Sequence, residues 1–176
     1  MKQNINWGTV EEAKDFPRVK PGGYICRICD VEDNEQQEYL KISYDIADGE
    51  FKGHYSNLKT TMNYSLPFFI RSYKEKAMPF FKGMLTALEC SNKGFVADKF
   101  NNQPETLVGA YIGLILGEEE YVGSDGETKT SIRVQGIRSI SSIKEGDFEI
   151  PKLKKLKENV VQTPSWQPVQ DEELPF

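Results

Sequence analysis

Between residues 52 and 82 the chain gathers Lys52, Lys59, Arg71, Lys74, Lys76 and Lys82 against a single acid, Glu75. Tyr55, Tyr64, Phe68, Phe69, Tyr73, Phe80 and Phe81 are interleaved with them. The mixture suits a flexible single strand of nucleic acid: cations track phosphates, and flat rings stack on bases of any identity. Stacking contributes about 1–3 kcal/mol per base, so two or three wet rings suffice. Tyr55, Tyr64 and Tyr73 are the expected stacking residues, because tyrosine tolerates a half-wet environment. Phe81 and about half of the rings are expected in the core instead, where their large apolar area is best buried.

Two strands are expected to add to this surface. Residues 38–47 alternate, with Leu40, Ile42, Tyr44 and Ile46 on one face and Tyr39, Lys41, Ser43 and Asp45 on the other. Tyr39 and Lys41 therefore point away from the core. Arg133 and Gln135 take the same outward phase beside Ile132 and Val134. Two acidic stretches oppose the idea. Glu32-Asp33-Asn34-Glu35 and Glu118-Glu119-Glu120 fall where loops should flank a ligand, and they would repel phosphates.

Other chemistry is weaker. Cys26 and Cys29 have the spacing of a zinc or redox pair, and His54 with Cys90 would complete four ligands. A strand sends residues three apart to opposite faces, so buried thiols are the expected state and no metal is assigned. Asp45 with Glu50 and Lys52 loosely matches the carboxylate–lysine layout of Mg²⁺-dependent nucleases. A hairpin at Asp48-Gly49 explains the same residues without catalysis. With one histidine and no phosphate-cradling loop, dinucleotide fingerprint or nucleophile elbow, the expectation is a protein that is not an enzyme and needs no cofactor.

The elements that must position these residues follow from periodicity and turn signals. Residues 1–20 read as a lead-in tacked onto the core by Trp7, Val10 and Phe16. Strands are expected at 24–32, 38–47 and 51–60. Helices follow, one capped by Ser65 with Pro67 in its first turn, one opened by Pro79. Strands return at 107–116 and 128–140, separated by a loop over 118–127, with Gly136 marking a bulge. The fold class is mainly β (α+β). The order is that of a five-stranded Greek-key barrel with a helical insertion between strands three and four, the OB-fold, although other small α+β barrels fit it too.

Domain organisation follows. Residues 1–150 form the barrel with its lead-in. Residues 151–161 read as a short basic helix, with Lys152, Lys154, Lys155 and Lys157 around Leu153, Leu156 and Val160. Residues 162–170 are a Gln/Pro-rich linker expected to be disordered, and 171–176 an acidic tip. The net charge of −5 and pI of about 5.1 argue against a generally basic binder, but placement outweighs the sum. Three cysteines, no apolar leader and no membrane-length apolar run point to a reduced, cytoplasmic protein without membrane contact.

Asp171-Glu172-Glu173-Leu174-Pro175-Phe176 resembles the acidic tip of bacterial single-stranded DNA-binding proteins, with Leu174 in place of the usual isoleucine. Pro21-Gly22-Gly23-Tyr24 and Gly49-Glu50-Phe51-Lys52-Gly53 are similar to segments of phage replication and recombination proteins. The resemblance implies sequence-tolerant coating of single-stranded DNA in a bacterial host cell. It also implies recruitment of replication, repair or recombination enzymes by the tip. Asp171, Glu172 and Glu173 would steer, Leu174 and Pro175 would shape, and Phe176 would anchor. Homo-oligomerisation is left open. A tip on a linker beside basic segments is also expected to compete with DNA for its own domain. The alternative reading is an adaptor that binds proteins and not DNA; the nuclease is the third.

Overall fold

The computed structural model describes residues 6–10 and 16–156. Five strands form one antiparallel sheet: β1 (Gly22–Asn34), β2 (Tyr39–Ile46), β3 (Phe68–Ser72), β4 (Tyr111–Val122) and β5 (Thr128–Arg138). Their order across the sheet is β3-β2-β1-β4-β5. The expected barrel is not closed by a ladder. β3 and β5 are the two edges of the sheet, and they touch without pairing. Among the described residues three α-helices accompany the sheet: α1 (His54–Met62), α2 (Met78–Ser91) and α3 (Ile140–Glu145).

The core forms because the alternation in β2 holds. Leu40, Ile42, Tyr44 and Ile46 are all buried, against Cys26 and Ile28 of β1 and Ile112, Leu114 and Leu116 of β4. α2 closes this layer with Met84, Leu85 and Leu88. Leu88 is fully buried, a contribution of about 1.5–3 kcal/mol. Asn92 fastens the C-terminus of α2 to β4, donating to the Tyr111 carbonyl at 2.7 Å and accepting from the Tyr111 amide at 2.7 Å. α3 lies on bare backbone at Gly113, where a Cβ would stand 2.5 Å from Ile143 Cγ1 and 2.8 Å from two carbonyl oxygens.

Several expectations need correction. Residues 51–60 are not a strand: a turn leads into α1. The helix expected from Ser65 and Pro67 is instead β3. Pro67 stands just before the strand, where its missing N–H costs nothing, and its carbonyl accepts the Tyr44 amide at 3.1 Å. The acids at 118–120 are not in a loop, because β4 runs to Val122 and the turn follows at 123–126. The bulge in β5 falls at Gln135, next to Gly136 as anticipated: Ile115 faces Gly136, and Leu116 already faces Val134. In the lead-in, Val10 is exposed and Val19 is the buried residue; Phe16 lies edge-on to His54.

Residues 151–156 are extended, not helical. Lys154 bridges Glu119 in parallel, through Glu120 N–H to the Lys154 carbonyl and Lys154 N–H to the Glu118 carbonyl, both at 2.9 Å. A free backbone stretch of β4 beyond its pairing with β1 offers this ladder, and that outweighs a short helix with little to pack against. Residues 157–161, the linker and the tip lie outside the described residues. Within the described residues no helix is long and apolar enough to cross a membrane.

Candidate nucleic-acid interface

The outward face of β1, β2 and β3 carries the clearest candidate surface. Lys41 is in register with Glu32 of β1 and Ile70 of β3, and Ser43 with Phe68. Side chains in register share a face. Tyr39, Lys41, Phe68 and Ile70 therefore stand side by side on the side opposite the core. Lys41 Nζ lies 5.0 Å from the centre of the Phe68 ring and 2.9 Å from Glu32 Oε1. Tyr39 is half-buried, and its phenol oxygen accepts from Asn34 Nδ2 at 3.1 Å. Ile70 is exposed.

The acidic stretches beside this face are largely occupied within the fold. Glu32 pairs with Lys41, and Asp33 accepts the Tyr73 hydroxyl at 2.8 Å. Partial burial, the bond to Asp33 and the charges of Asp33, Glu35 and Glu38 push the Tyr73 phenol up to about 12, so it remains a donor at neutral pH. An open cavity of about 430 Å³ lies here, lined by residues 32–36 with Tyr39 and Lys41. On β4, Glu118 meets Arg18 at 3.5 Å and Glu119 meets Lys154 at 3.6 Å. Glu120 accepts the Leu156 amide at 3.0 Å. These acids tie the N-terminal lead-in and the 151–156 segment to the sheet.

The remaining expected contacts do not form one patch. Lys52 is exposed at the turn after β2, and Lys59 is exposed on α1. Tyr55 is packed edge-on against Tyr44 at 6.0 Å and His54 at 5.0 Å; burial raises its pKa, and it belongs to the core margin more than to a stacking platform. Tyr64 is the wettest of the three tyrosines, 61 % exposed. It borders a groove of about 510 Å³ between the lead-in, α1 and β5, lined also by Phe16, Arg18, Met62 and Ile132. Tyr73 packs edge-on to Phe81. Lys74 and Lys76 lie at the single helical turn Glu75–Ala77 before α2, Lys76 exposed. Lys82 on α2 is paired with Asp98. Arg133 is exposed on the outward side of β5, opposite Gly117, and Gln135 folds over that glycine. Arg71 takes the inward phase of β3, in register with Leu40.

Phe68 is one of the rings of residues 52–82 but not one of the three expected stacking tyrosines, and Ile70 is not among the expected contacts. Their signal is period two: 68 and 70 outward, 69 and 71 inward, visible only once 68–72 is read as a strand.

Asp45 is accounted for structurally. Buried at the end of β2, it accepts the amides of Ile46 and Tyr55 on Oδ1 and of Ser56 on Oδ2, at 2.8–3.1 Å. It therefore caps α1 from β2, across the intervening turn. The cysteines are dispersed: Cys26 in the core, where burial raises its thiol pKa, Cys29 at a bulge in β1, and Cys90 exposed on α2. No protein-family model matches this chain, and no curated protein matches it significantly.

Proposed function

We propose that this chain is a non-catalytic, sequence-tolerant single-stranded DNA-binding protein of phage or bacterial replication or recombination. The carrying observation is the outward face of β2 and β3, where Lys41 stands in register with Ile70, with Phe68 at one end of the row opposite Ser43 and Tyr39 at the other opposite Ser72. One cation beside rings and an apolar side chain is the local chemistry of a base-stacking track. The strand order, with α2 between β3 and β4, supports an OB-like sheet whose β3–β5 seam is open. The internal use of Glu32, Asp33 and Glu118–Glu120 removes much of the electrostatic objection. It also weakens the adaptor reading, because fewer of those acids are left to face a protein partner. Both oxygens of Asp45 are occupied by backbone amides, which leaves the nuclease reading without its first carboxylate.

The test is fluorescence anisotropy of a labelled oligo-dT against the full-length chain over a range of salt. Binding at low salt should weaken linearly in log–log form, with a slope of about −0.7 per phosphate contacted. No binding at low salt, with or without residues 171–176, refutes the proposal. Pull-down of a helicase or recombinase without any DNA affinity would favour the adaptor.

The tip, Asp171 to Phe176, is proposed to recruit partner enzymes and to compete with DNA on the same domain. Deleting 171–176 should then tighten oligo-dT binding at low salt, and the difference should vanish as salt screens the acids. Unchanged affinity at low salt refutes the competition.

A further inference from the structure

Among the described residues, Arg71 is a charge without a partner. Its Nε is sealed from solvent and has no acceptor. Burial is the sole influence on its titration and lowers its pKa; no carboxylate of the described residues bears on it. The side chain starts on the core side of β3, in register with Leu40, which is itself buried. Yet β3 is an edge strand that touches β5 without pairing, and the residue keeps partial exposure. Nε is thus withdrawn from water in a residue that is otherwise partly exposed.

A cation in this state is costly to the free fold unless something satisfies it. A methionine, whose unbranched chain matches the arginine stem as far as Nε, would fill that space without the cost. The planar fork of an arginine matches a phosphate with two parallel bonds, and such bonds strengthen where water is scarce. The neighbouring residue on β3, Ile70, faces the opposite side, beside Lys41. A strand crossing the rim of β3 can lay bases on the outward face and bring one phosphate over the edge to the fork.

We propose that Arg71 is a phosphate clasp on the edge strand β3, taking one phosphodiester group of the bound strand. This deepens the single-stranded DNA reading and rests on it for the identity of the ligand, but the anion site itself can be tested separately.

The experiment uses full-length wild type, R71M and R71K. Each is melted alone, with inorganic pyrophosphate and with a twenty-nucleotide oligo-dT, and each is titrated with labelled oligo-dT against salt. R71M alone should melt no lower than wild type, because an unpaired charge is gone. Its affinity for the oligonucleotide should fall by about tenfold, and its salt slope should shrink by about 0.7, one phosphate's worth. R71K should keep the slope and lose part of the affinity, because the charge stays and the fork does not. Wild-type affinity and slope in R71M overturn the proposal. So does an R71M that melts well below wild type while R71K melts like it, since Arg71 then acts as a structural prop. Should wild type fail to bind oligo-dT at all, the DNA reading falls and pyrophosphate decides the rest. A melting shift in wild type that R71M loses keeps the anion site; no shift in either removes it.

Discussion

Replacing Asp45 with alanine should destabilise the fold by about 2–4 kcal/mol, from the loss of charge-assisted bonds to backbone donors and of a helix cap. Three amides depend on this carboxylate: Ile46, Tyr55 and Ser56. Two of them open α1, whose own N-cap is Gly53 at φ 72° with no side chain to offer. The negative charge also sits at the positive end of the helix. Its removal leaves partly buried donors without acceptors and frees α1 from β2. Tyr55 then loses its hold on Tyr44, one of the largest fully buried side chains. For a chain of this size the midpoint should fall by roughly 5–15 °C in thermal melting. The substitution Asp45→Asn keeps one oxygen as acceptor and should cost about half as much. A variant D45A as stable as wild type would show that the cap is idle. A stable D45N that had lost a Mg²⁺-dependent cleavage activity would return the nuclease reading.

That capping geometry explains why part of the fold is legible in the sequence and part is not. β2 declares itself through Leu40, Ile42, Tyr44 and Ile46, because one face is buried and the other is wet. α2 declares itself through Pro79 and the spacing of Phe81, Leu85 and Leu88. Residues 54–62 contain no buried side chain in their helix, and the residue that starts the helix belongs to another element. Local pattern carries no trace of a cap supplied across the fold. Reading 51–60 as the third strand makes the five-residue β3 look like a helix start, through Pro67. The candidate site inherits the error. Tyr39 and Lys41 come out on the correct face because the phase of β2 is clear. Phe68 stays one ring among several, Ile70 is missed, and Arg71 passes for one more surface cation, because the phase of β3 is not. The acids of 118–120 look like a repulsive loop, since their partners Arg18, Lys154 and the Leu156 amide lie far away in sequence.

The double substitution Tyr39→Ala/Lys41→Ala should weaken oligo-dT binding by about 10- to 100-fold at low salt while the fold persists. The ring and the cation lie on the face where Phe68 and Ile70 also stand. Loss of one stacking ring removes about 1–3 kcal/mol of binding, and each 1.4 kcal/mol is about tenfold. Loss of the lysine should lower the salt slope by about 0.7. The expected cost to stability is about 1–2 kcal/mol: the Lys41–Glu32 pair is largely solvent-screened and adds little, while the half-buried Tyr39 loses part of its buried area and the bond from Asn34. Glu32→Gln provides the opposite sign from the same geometry. It releases Lys41 from its carboxylate and removes a charge that repels phosphate, so affinity should rise several-fold, on the order of the 0.2–1 kcal/mol of an exposed pair. Arg133→Ala, on β5 and outside this cluster, separates a local effect from a general loss of positive charge. If Y39A/K41A and R133A weaken binding equally, and E32Q changes nothing, the strand does not lie on β2 and β3, and the binding follows the field of the whole protein instead.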